Sequence, residues 1–169
     1  MSDAVDQILA QWRRERPDLD VWPMGVVGRV SRLSRLLDLE LKKFFAGHGL
    51  ERWEFDVLAT LRRSGPPYEL TAGALNRAAM VTSGAITNRI DRLAARGLVE
   101  RVPDEEDRRS VRVRLTGQGR ELVDEIVGPH VDNEARLLSG LAPEERDQFV
   151  RMLRGLLESL GDKTINPEA

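Results

Sequence analysis

The segment from Thr71 to Arg96 constrains the fold more than any other part of the chain. Thr71 can cap a short helix, because a threonine hydroxyl accepts hydrogen bonds from the free amides of a first turn. After about three residues, Thr82 or Ser83 can cap a second helix, and Gly97 is a natural stop after its last turn. Two short helices joined in this way predict a helix-turn-helix, although generic helical hairpins share the outline.

Two strands joined by a polar loop are predicted directly after the second helix. Residues 98–102 form the first and end at Pro103, whereas Val111, Val113 and Leu115 alternate with arginines in a second, half-buried strand. A hairpin at this place is typical of the wing of a winged helix-turn-helix.

Arg108 and Arg109 lie in the predicted loop, where they would meet a phosphate strand or enter a minor groove. The alternative is a surface hairpin whose arginines pair with Asp104 and Asp107. The arginine-rich loop favours DNA over a protein-docking module, because a protein-docking wing would more often expose apolar residues.

The charge distribution favours a DNA-binding segment inside an otherwise acidic chain. The net charge is −2, but eleven arginines face seven acidic residues between Arg62 and Arg114, a balance of +4 that leaves −6 for the flanks. Only a contacting surface must neutralise phosphates. Chance clustering on a solvated face is the alternative.

Helical periodicity predicts helices on both sides of this segment: about 3–16, 23–46 and 52–63 before it, and further helices after Thr116-Gly-Gln-Gly. The terminal helices carry more apolar surface than a small lobe needs, so we expect them to pack against a second subunit, with an intrachain core as the competing explanation. The predicted fold is mainly α with a small β-hairpin wing. Residues 51–116 form the DNA-binding lobe, and residues 1–50 and 117–169 form a helical dimerisation region.

Composition argues against several other classes of protein. The chain has no cysteine and two histidines, so we expect no disulfide, metal site or cofactor. The sequence shows no phosphate-binding glycine loop, nucleophile elbow or histidine-based triad, so we expect that the protein is not an enzyme. The first residues lack a secretory signal and no apolar run approaches a membrane span, which predicts a soluble, cytoplasmic protein without membrane contact.

Several motifs in their order resemble the MarR family of bacterial regulators over nearly the whole chain. These motifs are Trp53-Glu-Phe-Asp-Val-Leu, Leu75, Thr82-Ser-Gly-Ala-Ile-Thr-Asn-Arg-Ile-Asp-Arg-Leu, Gly97-Leu-Val-Glu-Arg, Asp107-Arg-Arg-Ser and Leu115-Thr-Gly-Gln-Gly. The resemblance implies a symmetric homodimer with interleaved terminal helices, two winged lobes on a palindromic operator, and repression of transcription. Glu105 departs from the pattern, since a proline or another residue is often found there.

The second helix of a helix-turn-helix fits the major groove, where hydroxyl and amide side chains contact base edges or phosphates. The DNA-contacting side chains of the second helix are predicted to be Thr82, Ser83, Ala85, Thr87 and Asn88. One of the first two can instead serve only as a helix cap.

The first predicted helix is similar to an extra N-terminal helix of the urate-responsive branch of the family. The resemblance implies that Trp12, Asp56, Arg89 and Arg101 enclose a small organic anion, with Trp22 as a substitute for Trp12. Because this branch also resembles regulators of citrate or aconitate, the anion can be urate, citrate or aconitate. The alternatives are a salt bridge of Asp56 with Arg89 or Arg101, and a DNA binder without a ligand.

Overall fold

The computed structural model describes residues 2–79, 86–104 and 111–162. Within these ranges the chain forms seven helices and three strands. In chain order they are α1 (Ala4–Glu15), α2 (Trp22–Gly47), α3 (Arg52–Arg63), β1 (Glu69–Thr71), α4 (Ala72–Ala78), α5 (Ile86–Ala95), β2 (Val99–Pro103), β3 (Val111–Leu115), α6 (Gly117–Leu137) and α7 (Pro143–Ser159). The fold is therefore mainly α with a small sheet, as the sequence predicts.

The sheet is antiparallel and has three strands in the order β1-β3-β2. The hairpin of β2 and β3 is the predicted one, but β1 adds a third strand through the pair Leu70↔Val113. Val113 and Leu115 are buried as expected, whereas Val111 is 46% exposed. The register of β1 reaches only Arg112, so Val111 has no neighbour on that side.

Side chains and glycines fix the helix ends. The Thr71 hydroxyl accepts a hydrogen bond from the backbone amide of Ala74 at 3.1 Å, and the Thr116 hydroxyl caps α6 through the amide of Gly119 at 3.0 Å. Gly97, with a φ of +70°, follows α5 in a left-handed conformation that costs glycine little. The predicted cap at Thr71 and the stop at Gly97 are thus confirmed.

The chain divides into two compact units, residues 1–43 and residues 44–169. In the first unit, α1 buries Val5 and Leu9 together with Val21. Arg29 of α2 forms ion pairs with Asp3 at 2.8 Å and with Asp6 at 2.6 Å. The amphipathic first helix predicted for residues 3–16 is therefore present.

The second unit holds the larger core. Its largest fully buried side chains include Leu58 and Leu61 of α3, Leu75 of α4, Ile90 and Leu93 of α5, and Val113 of β3. Contacts of α4 with α5 and of α5 with β2 join the two short helices to the sheet. This core holds α5, on which Thr87 and Asn88, two of the candidate DNA-contacting residues, lie.

The last helix is unusual in burying none of its residues. Its exposed apolar side chains, with the residue after it, are Val150, Met152, Leu156, Leu157 and Leu160. Among the described residues, no helix is both long and apolar enough to cross a membrane.

Candidate nucleic-acid interface

Helix α5 has one buried side and one exposed side. Ile90 and Leu93 are 1% and 0% exposed and lie three residues apart, so they share the side that faces the core. Thr87 and Asn88, in the first described turn, are exposed. Two of the five predicted DNA-contacting residues of this helix are therefore accessible at the end where a reading helix contacts bases.

The other predicted DNA-contacting residues lie outside the described ranges. They are Thr82, Ser83, Ala85, Arg108 and Arg109. Nearby, the buried carboxylate of Asp104 accepts a hydrogen bond from Arg112 Nε at 3.0 Å, and Arg114 Nε donates to Glu100 at 2.9 Å. These contacts, which the sequence did not predict, tie β3 to both ends of β2.

The two predicted anion-binding arginines lie on adjoining elements, α5 and β2. Arg101 Nη1 lies 2.7 Å from a carboxylate oxygen of Asp91, which is on α5 two residues after Arg89. The Arg89 guanidinium lies 5.5 Å from the ring centroid of Trp53, within cation–π range. The sequence alone assigned neither Asp91 nor Trp53 to this site, because the nine residues between Asp91 and Arg101 carry no spacing signal.

The other predicted anion ligands belong to different parts of the chain. Asp56 lies half-buried on α3, and its Oδ2 is shielded from solvent. Trp12, 41% exposed, and its substitute Trp22, 65% exposed, belong to the first unit. Enclosure of an anion by Trp12, Asp56, Arg89 and Arg101 together stays a prediction.

The last turns of α5 are joined to the start of α3 by a group of side chains that we call the α3–α5 clamp: Glu51, Trp53, Glu54, Arg92 and Arg96. Arg92 Nη2 donates to Glu51 at 2.8 Å, and its guanidinium lies 4.8 Å from the Trp53 ring centroid. The hydrogen bond to Glu51 is the main cause that raises the pKa of Arg92 above its ordinary value. Arg96 Nη1 donates to Glu54 at 2.8 Å.

The comparisons with known proteins cover the helices and strands of this candidate site. A family model described as MarR family matches residues 48–110, which begin directly after α2 and include α3, α4, α5 and β2. The HTH-type transcriptional regulator PecS of Dickeya dadantii is 46% identical over 154 residues, which are 91% of this chain and 92% of that protein. The chain belongs to the MarR family. It is a winged helix-turn-helix transcriptional regulator that binds DNA, and its sequence resemblance to this family is confirmed.

One more relative and one solved structure extend the comparison. The transcriptional repressor YetL of Bacillus subtilis is 30% identical, and the match covers 76% of each chain. The crystal structure of AbsC, a MarR-family regulator from Streptomyces coelicolor, covers 86% of this chain and 98% of its own, with a TM-score of 0.76 at 25% identity.

Two further similar structures concern DNA binding or its regulation. A mutant Escherichia coli MarR in complex with operator DNA is 26% identical and covers 92% of this chain and 99% of its own, with a TM-score of 0.67. Bordetella bronchiseptica BpsR, whose DNA binding is regulated by 6-hydroxynicotinic acid, is 29% identical and covers 78% and 91%, with a TM-score of 0.70.

Proposed function

We propose that this MarR-family regulator is a homodimeric repressor that binds a palindromic operator and is released by a small organic anion. The observation that carries the proposal is the position of Arg89: it lies on the same ten-residue helix as the exposed Thr87 and Asn88. A ligand held by Arg89 therefore acts on the helix that reads DNA.

For DNA recognition, we assign the first turns of α5 to the major groove and the loop between β2 and β3 to the flanking backbone. The assigned residues are Thr82, Ser83, Ala85, Thr87, Asn88, Arg108 and Arg109. The exposure of Thr87 and Asn88 supports this assignment, and so does the operator complex of the E. coli relative. The proposal that this chain represses transcription is supported by its similarity to the transcriptional repressor YetL.

For dimerisation, we assign residues 1–50 and 117–169 to the subunit interface and residues 51–116 to the DNA-binding lobe. The support is α7, none of whose residues is buried within the described part of the chain. Leu156, Leu157 and Leu160 are 44%, 51% and 77% exposed, and a monomer rarely leaves such a cluster in water. A second copy of the chain would bury them.

For release, we assign the anion to Arg89 and Arg101, with Trp12 and Asp56 completing the site. Two guanidinium groups can hold a carboxylate or a urate-like anion through charge-assisted hydrogen bonds. An anion that takes Arg101 must displace Asp91, which now occupies it at 2.7 Å. The ligand would thus replace the contact between Asp91 of α5 and Arg101 with its own contact to Arg101. Coupling requires that the ligand bind two orientations of α5 with different affinity, and this exchange of contacts provides such a difference.

The DNA part is tested by gel shift on the duplex upstream of the gene that encodes this chain, over a salt series. Each phosphate neutralised contributes about −0.9 to the slope of log affinity against log salt. Asn88→Ala should lower the affinity for the upstream duplex more than the affinity for a random duplex. Arg108→Ala should lower both affinities and flatten the slope of log affinity against log salt by about 1. An affinity independent of salt would rule out DNA binding through phosphates.

The ligand part is tested by adding urate, citrate, aconitate or 6-hydroxynicotinic acid to the wild-type complex. Arg89→Ala and Arg101→Ala should abolish release by the active anion, because each removes one of its two cations. Asp91→Asn should lower the anion concentration needed, because the competing carboxylate is gone. Release that survives in both arginine variants would identify a DNA binder whose ligand, if any, binds elsewhere.

The dimer part is tested by light scattering after gel filtration. We expect two copies of the 169-residue chain. Leu157→Glu should yield single chains, whereas Arg154→Glu, a charge change on the same helix, is the control. A wild-type protein that elutes as a monomer would contradict the proposal.

A further inference from the structure

We propose that the α3–α5 clamp is a positioning device: Glu51 and Glu54 set the tilt of the reading helix, so two acidic side chains strengthen binding to a polyanion. The inference rests on the proposed role of α5 in reading DNA and adds residues that this role does not name. Its starting point is how little of α5 is buried.

Packing alone leaves the tilt of α5 weakly determined. Its described buried residues are Ile90 and Leu93, within a single turn. A helix rises about 1.5 Å per residue, so Thr87 lies about 14 Å along the axis from Arg96. A rotation of about 10° about the buried pair would move either end by about 1 Å, whereas binding groups tolerate a displacement of only about 0.5 Å.

The clamp contacts α5 at the end opposite to Thr87 and Asn88. Arg96 donates from Nη1 to Glu54 at 2.8 Å and from Nη2 to the carbonyl oxygen of Gly49 at 3.1 Å. Glu54 lies on α3 and Gly49 in the connection before it, so the two contacts restrict rotation of the arginine side chain as well as its distance.

Glu54 is suited to this role because its carboxylate is held in place. It is 3% exposed, and Oε2 accepts hydrogen bonds both from the backbone amide of Glu51 and from Arg96, each at 2.8 Å. A buried carboxylate needs such partners, since removal of one leaves a costly charge. This fixed group therefore anchors the end of α5 to the first turn of α3.

Glu51 provides a second anchor, because it binds Arg92, which lies one helical turn before Arg96. Its Oε1 accepts from Arg92 and its Oε2 accepts from the indole of Trp53, each at 2.8 Å. The Trp53 ring also lies under the Arg92 guanidinium. Arg92 is thus held by charge and by an aromatic face, and two anchors separated along one helix resist tilting better than one.

The clamp and simple electrostatics make opposite predictions for one substitution. Removing an acid near DNA normally strengthens binding, because less repulsion opposes the phosphates. If the clamp positions α5, Glu51→Gln weakens binding to the specific site, because a glutamine cannot accept from both Arg92 and Trp53 through two oxygens. Glu51 is the better test residue, since its side chain is 57% exposed whereas that of Glu54 is 3% exposed.

The experiment measures affinity of the full-length protein for the upstream duplex and for a random duplex of equal length. We expect Glu51→Gln to lower the specific affinity about three-fold and the Glu51→Gln, Glu54→Gln pair about ten-fold, with the random duplex unchanged or bound more tightly. Glu51→Arg should also bind poorly, and Glu51→Arg with Arg92→Glu should regain specific binding.

Asp124→Asn is the matched control. It removes one negative charge and an exposed ion pair, Arg62 with Asp124 at 2.7 Å, that does not involve α5. Its specific affinity should stay at the wild-type value. Wild-type binding together with unchanged or tighter specific binding by Glu51→Gln would overturn the clamp alone, whereas failure of the wild type to bind either duplex would overturn the proposed function as well.

Discussion

Gly119, in the first turn of α6, lies against the main chain of Leu98, so we expect Gly119→Ala to destabilise the fold. A Cβ on Gly119 would lie 2.0 Å from the carbonyl oxygen of Leu98 and 2.9 Å from its carbonyl carbon. Cβ contacts under 3.0 Å are essentially never found. Helix α6 and the start of β2 would therefore have to separate by about 1 Å, which is a case of overpacking.

The cost follows from what that separation disturbs. Two hydrogen bonds hold the junction: the Thr116 amide to Leu98 at 3.2 Å, and the Thr116 hydroxyl to the carbonyl oxygen of Gly97 at 2.7 Å. Each contributes about 1 kcal/mol, and overpacking alone costs about 1–3 kcal/mol. Because a main-chain carbonyl cannot rotate away, we expect a loss of about 3 kcal/mol and a Tm lower by about 6–12 °C.

Gly117→Ala is the control, two residues earlier in the same turn. No atom lies within 4 Å of a Cβ at Gly117. Alanine should leave stability unchanged or raise it by about 0.4–1 kcal/mol, because it restricts the unfolded chain. Urea unfolding followed by circular dichroism, at one protein concentration so that association does not differ, compares the variants. Equal midpoints for Gly119→Ala and Gly117→Ala would refute the reasoning.

Three further predictions concern stability. Leu58→Ala, at a side chain that is 0% exposed, should cost about 2–5 kcal/mol in urea unfolding, and a loss under 1 kcal/mol would mean that the site is not core. Thr71→Ala should cost about 1 kcal/mol through the lost cap of α4, whereas Thr71→Ser should retain most of it. Hydrogen bonds from backbone amides and then from Arg29 lower the pKa of Asp3 and of Asp6 below the ordinary 3.8. Their contribution to stability is therefore complete above pH 3.8 and is lost as the pH falls through the lowered values, so the difference in urea midpoint between wild type and Asp3→Asn should close only below that pH.

Local sequence signals predicted the helices and the hairpin well. The observed bounds of α3, Arg52–Arg63, equal the predicted ones, because inward apolar residues recur at helical spacing and Ser64-Gly-Pro-Pro follows. The predicted cap at Thr71 and the predicted stop at Gly97 also depend on chemistry within a few residues. Such features need no knowledge of the tertiary structure.

Strand β1 could not be predicted in this way. Its three residues are too few to display an alternating pattern, and all three are half-buried. It is a strand because β3 lies beside it, with Leu70 opposite Val113. The exposure of Val111 follows from the same pairing, since β1 ends before reaching it.

The partners of the charged side chains were equally beyond sequence reasoning. The chain has 26 basic and 28 acidic residues, so each arginine has many possible partners. Arg92 reaches Glu51 across 41 positions and Arg96 reaches Glu54 across 42. Only the packing of α5 against the start of α3 selects these pairs, and the predicted salt-bridge alternative for Arg101 likewise named Asp56 rather than Asp91.

The junction at Thr71 has a practical consequence for protein engineering. Thr71 is both the last residue of β1 and the residue whose hydroxyl caps α4, so no residue between the two elements is free to bend. One inserted amino acid would either shift the strand out of register or remove the cap. A chimera that transplants the DNA-reading module of this protein should therefore take its upstream boundary before Glu69, so that sheet and helix are carried over as one piece.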